Sequence, residues 1–111
     1  MIFDYNELKE NVEEDFNRFF RMDFDDKQIY SAVLNEYKYG DDFSFAENIC
    51  IHVDLALIYK SKNLKDDFIM EDLNNLIKGK EALLREELKD DYFLLEKDLK
   101  DIKKENFSIP K

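Results

Sequence analysis

Proline and glycine are nearly missing from this 111-residue chain, which has one Pro, at position 110, and two Gly, at positions 40 and 79. All-β domains place such residues at their many turns, so their scarcity argues against a sandwich or barrel and for helices. A single cysteine, Cys50, permits no internal disulfide and suits a reducing compartment. The longest unbroken apolar run, Leu55 to Tyr59, is too short to span a bilayer, and the N-terminus shows neither a basic leader nor a cleavable apolar region. A cytoplasmic protein is expected.

Catalytic constellations are scarce as well. The only histidine, His52, lies two residues from Cys50, a spacing that does not face on a helix, so both read as packed core residues. A di-iron bundle needs Glu-x-x-His on two helices, and the residue three before His52 is Ile49. Asp23 and Asp25 imitate the start of a calcium loop, but its sixth position is Gln28 where Gly is needed, and its twelfth is Leu34 where a bidentate Glu is needed. No glycine-rich phosphate loop exists. The adjacent acids Asp41-Asp42 and Asp66-Asp67 read as solvated helix starts. No catalytic residue, cofactor or metal is therefore expected, and the chain does not read as an enzyme.

What is present is apolar and charged in nearly equal measure. Hydrophobic residues make up 44% and charged residues 40%, with 10 Phe and 6 Tyr, enough to build a core rather than a disordered chain. A single domain over residues 1–111 is expected, with 106–111 as a frayed tail. Tyr5, Leu8, Val12, Phe16, Phe19 and Phe20 recur at helical spacing, and Asp4 with Glu7 forms a capping-box pattern, predicting a helix from about Tyr5 to Arg21. Ile29, Ala32, Val33 and Tyr37 predict a second helix, capped by Asp25 with Gln28 and ending near Tyr39 with Gly40 beyond it. Ser44 and Glu47 open a third segment to about Tyr59.

That third segment alternates as a strand does at Ile49, Ile51, Val53, Leu55 and Leu57, but it also fits a helix. Its length favours a central helix buried on all sides. A last stretch carries Ile69, Leu73, Leu76 and Ile77, then Leu84, Leu88, Tyr92, Leu95, Leu99 and Ile102, with a break expected near Gly79 or Asp90. The fold class is thus all-α, a compact bundle of four to five helices. The stripe from Leu84 to Ile102 could also form a coiled-coil seam, but packing on the first and third helices is the better reading.

The acidity is unevenly spread. Of 27 acids and 17 bases, residues 1–59 hold 14 acids and only 5 bases, whereas residues 60–111 are nearly balanced. A net charge of -10 repels nucleic acid and anionic membranes, so neither is an expected partner. Acids and aromatics cluster between the first three helices, at Asp23, Phe24, Asp25 and Asp26, and at Glu36, Tyr37, Tyr39, Asp41, Asp42 and Phe43. Charge that speeds encounter, beside aromatic anchors, suits recognition of a basic protein. These ten residues are the candidate partner-binding site, on a protein expected to be monomeric when free.

Three strings carry a family resemblance: Tyr5-Asn6-Glu7-Leu8, the segment from Ile29 to Tyr37, and Ile51-His52-Val53-Asp54-Leu55-Ala56-Leu57. Together they resemble the all-α immunity proteins of bacterial polymorphic toxin systems, the third of the numbered Imm families. The resemblance implies a cytosolic antidote that binds a toxin domain, often a nuclease, and blocks its active site or substrate surface. It supplies no contact residues. The alternatives are a phage-type inhibitor or DNA mimic acting on a basic host protein, and a helical self-association module.

Overall fold

A computed structural model describes residues 4–38 and 44–107, with the side chains of 4–37 and 44–102. Six α-helices run through them: α1 (Tyr5–Arg21), α2 (Asp26–Lys38), α3 (Phe45–Ser61), α4 (Asp67–Ile77), α5 (Glu81–Leu88) and α6 (Tyr92–Phe107). A 3-10 turn at Lys89–Asp91 joins α5 to α6, and counting that pair as one broken helix gives five, within the four to five expected. No strand occurs among the described residues.

The helix starts follow local hydrogen bonding. The Asp4 carboxylate accepts from the backbone N–H of Asn6 and Glu7 at 2.9 and 3.1 Å, which satisfies two orphan donors of α1. At α2 the box is complete: Asp25 accepts from the Gln28 N–H, and the Gln28 side chain accepts from the Asp25 N–H, both at 2.9 Å. Ser44 accepts from the Glu47 N–H and opens α3. Replacing Asp25 with alanine should therefore cost about 1 kcal/mol, while asparagine, an equally good cap, should cost almost nothing. Urea unfolding of the two variants measures the difference.

α3 is the hub. It packs against α1, α4, α5 and α6, and every residue from Ile49 to Ala56 is buried. Burial all round explains why apolar residues also fell at alternate positions: every face meets protein, so the strand-like pattern carries no strand. Cys50 is fully buried, and burial pushes its thiol up, leaving a packing residue.

Both expected breaks occur. Gly79 adopts φ +73 just past the α4 cap, where a side chain would be strained, and Lys80 N–H closes the turn onto the Ile77 carbonyl at 2.8 Å. The second break turns on Lys89, at φ +54, and Asp90 and Asp91 sit inside the 3-10 turn instead of capping a new helix. α6 runs on to Phe107, beyond the point where fraying was expected. Leu84, Leu88, Leu95 and Ile102 are buried in the common core, so the stripe is used within the fold and not as an exposed seam. Asp66 also departs from expectation. It is no solvated cap but holds Lys60 at 2.6 Å, both side chains being largely buried, and ties the end of α3 to the start of α4.

Candidate functional site

The outward side of α1 carries four carboxylates. Tyr5, Leu8, Val12 and Phe16 turn into the core, so Glu7, Glu10 and Glu14, spaced by three and four, follow the opposite side, with Glu13 beside them. All four are exposed, and none forms an ion pair among the described residues. Two of the three bases on α1 are drawn elsewhere, and the third, Arg21, is exposed about two turns beyond Glu14. Lys9 reaches Asp98 at 3.0 Å, and Arg18 bridges Asp15 at 3.5 Å and Glu36 at 3.1 Å while lying over the Phe19 ring. Like charges three and four apart disfavour a helix by about 0.2–0.5 kcal/mol per pair, so this stripe weakens α1 slightly.

The ten nominated residues divide three ways. Asp23 is exposed in the left-handed region, at φ +67, which aspartate tolerates better than most residues. Asp25 is exposed but occupied as the α2 cap, and Asp26 is half-buried, its backbone carbonyl accepting from the Tyr59 hydroxyl. Glu36 is held by Arg18, a pair that joins α2 to α1. Phe24 and Tyr37 are not exposed anchors. Phe24 stacks on Phe19 with ring centres 5.6 Å apart, and Tyr37 packs on the core with its hydroxyl beside Asp15. Burial raises the carboxyl of Asp15, more than the nearby Tyr37 hydroxyl and Arg18 lower it. Tyr39, Asp41, Asp42 and Phe43 lie outside the described residues.

The exposed apolar groups near the α1–α2 turn are instead Phe20 and Met22, about half accessible at 46% and 54%. Phe20 stacks on Phe16, and the Lys62 ammonium lies 5.6 Å from its ring centre. Phe20 thus lies at the edge of the core stripe, at the end of α1, and its ring stays about half accessible. Glu7, Glu10, Glu13 and Glu14 were counted in the acidic half without being nominated. Projecting α1 as a helix shows them opposite the apolar stripe, and that signal was available in the sequence.

A second acidic feature is internal. Asp54 on α3 is 1% exposed and Asp98 on α6 is 7% exposed. Its spacing of three from Leu95 and four to Ile102 places it on the apolar stripe. The Tyr5 hydroxyl has one proton and donates it to Asp98 Oδ2 at 2.5 Å. Its oxygen lies 3.4 Å from Asp54 Oδ1, and Asp54 Oδ2 has no partner among the described residues. Burial pushes the Asp54 carboxyl up to about 8, with Asp98 adding to the rise and Lys9 opposing it. A protonated Asp54 can donate toward Tyr5, giving a one-way chain from Asp54 through Tyr5 to Asp98 and Lys9. Tyr5, Asp54 and Asp98 are buried, only Lys9 at the end of the chain reaches solvent, and the array ties α1, α3 and α6 together.

No group of three or more potential metal-binding side chains occurs among the described residues, and none of their helices is long and apolar enough to cross a membrane. Comparison with known protein families, curated proteins and solved structures gives no match.

Proposed function

We propose that the chain is an acidic immunity protein, which binds a basic toxin domain, a nuclease in the reading favoured here, and covers its substrate surface. The observation that carries this reading is the unpaired carboxylate stripe of α1. Exposed Asp23 and Asp25 follow in the α1–α2 turn, and Phe20 and Met22 near the end of α1 are exposed as well. A surface that attracts cations over a long range and offers apolar contact at one end suits a partner that must itself attract phosphate. Retaining repulsive neighbours on α1 is consistent with selection for binding over stability.

Co-expression with the domain encoded immediately upstream tests the proposal. The expected result is a stable complex and protection from that domain's toxicity, and the absence of both refutes it. The triple variant Glu10→Gln, Glu13→Gln, Glu14→Gln separates binding from folding. Glu7 stays because, in the first turn, it favours the helix dipole. The variant should associate about tenfold more slowly. It should nonetheless fold at least as stably as the parent, with a gain of about 0.5 kcal/mol from the relieved repulsion. Stopped-flow association and urea unfolding provide the two readouts.

A further inference from the structure

A cleft between α2, α3 and α4 stands apart from the acidic face. Its volume is about 390 Å³, near the lower end of the roughly 300–1,000 Å³ typical of ligand pockets. Leu34 and Leu76 form apolar walls, and the polar lining comes from Asn48, His52, Asp72 and Asn75. The Tyr30 hydroxyl donates to Asp72 Oδ2 at 2.6 Å, which orients the carboxylate and leaves Oδ1 without a partner among the described residues.

The tautomer of His52 follows from its contact. Nδ1 lies 2.8 Å from the Asn48 backbone oxygen, which can only accept, so Nδ1 carries the proton. Burial lowers the pKa of the ring and keeps it neutral. Nε2 is then an acceptor, and it has no hydrogen-bond partner among the described residues. The cleft therefore presents a carboxylate oxygen, an imidazole lone pair and two adaptable side-chain amides. No Lys or Arg lines it among the described residues.

An anion would be repelled by Asp72, and a neutral apolar ligand would leave these acceptors unpaired. A compact ammonium reaches one or two of them, whereas a planar guanidinium spreads five donors in a fixed fork. We propose that the cleft receives an arginine side chain of a protein partner, its guanidinium shared between Asp72 and His52 and its stem lying on Leu34 and Leu76. The site does not depend on the α1 stripe, so it stands or falls separately from the proposed function.

Titrating the full chain with N-acetyl-arginine amide and N-acetyl-lysine amide, followed by nitrogen-15 NMR, tests this. The arginine probe should produce saturable shifts at the His52 ring and the Asn48 and Asn75 side-chain amides, with a Kd of about 1–10 mM. The lysine probe should bind about tenfold more weakly. Asp72→Asn, which keeps an acceptor for Tyr30 and should leave the unfolding midpoint unchanged, should weaken the arginine probe about tenfold. The triple glutamine variant of α1 should bind it as the parent does. Shifts that fail to saturate, equal binding of the two probes, indifference to Asp72→Asn, or loss of the shifts in the α1 variant would each overturn the proposal.

Discussion

Replacing Asp54 with asparagine should give a variant whose stability advantage over the parent grows as the pH rises. In the parent, burial holds the Asp54 carboxyl at about 8, against 3.8 for an ordinary aspartate. Between those values the unfolded chain has released a proton that the folded chain still binds, so parental stability falls with rising pH across that window and levels off above it. Each unit of displacement carries about 1.4 kcal/mol, which makes the full loss about 6 kcal/mol. Asparagine does not titrate, keeps the shape, and can donate toward the Tyr5 oxygen as the protonated acid does. The advantage should thus be small near the ordinary carboxylate pKa and reach several kcal/mol above pH 8. Burial lowers the pKa of His52, which draws stability away on acidification below its ordinary value of 6.5, but this contribution is common to both proteins and cancels in the difference. Urea unfolding at a series of pH values measures it, and a difference independent of pH would show that Asp54 is not held protonated by burial.

The second large effect belongs to Phe16. Its side chain is fully buried, stacked on Phe20 at 5.4 Å and edge-on to Tyr59 at 5.5 Å, where α1 meets the central helix. Truncation to alanine removes the buried ring and both aromatic contacts, and the surrounding helices cannot close the space fully. Phe16→Ala should cost about 3–5 kcal/mol, a large part of the stability of a domain of this size. Phe93, 66% exposed on α6, provides the internal comparison. Phe93→Ala should change stability by less than about 0.5 kcal/mol, so a cost similar to that of Phe16→Ala would contradict the assignment of the core.

The helices were legible because their signals are local. Capping residues at Asp4, Asp25 and Ser44 and the apolar stripe of α1 depend on neighbours within one or two turns, and α1 begins and ends where these signals place it. The central position of α3 was legible from its lack of a polar side. What escaped depends on distant partners. Asp98 stands beside Lys97 in a charge-rich stretch, and although its spacing puts it on the apolar stripe, its partners Tyr5 and Lys9 come from distant α1. Asp54, by contrast, is flanked by Val53 and Leu55 within an apolar run, which is a local sign of burial. At the candidate surface, counting charge located the acidic half of the chain, but exposure decides which acids are available. Arg18 occupies Glu36 and a helix start occupies Asp25, whereas the glutamates of α1 have no such engagement among the described residues.

The central claim is that the α1 carboxylates steer a basic partner onto this surface. Its most direct test is the association rate of an inactivated form of the domain encoded upstream, measured against ionic strength for the parent and for the Glu10, Glu13 and Glu14 glutamine variant. Screening shortens the reach of exposed charge, so the parent's rate should fall steeply as salt rises, and the variant should start about tenfold lower and respond weakly. Equal rates with equal salt dependence for the two proteins would contradict the account.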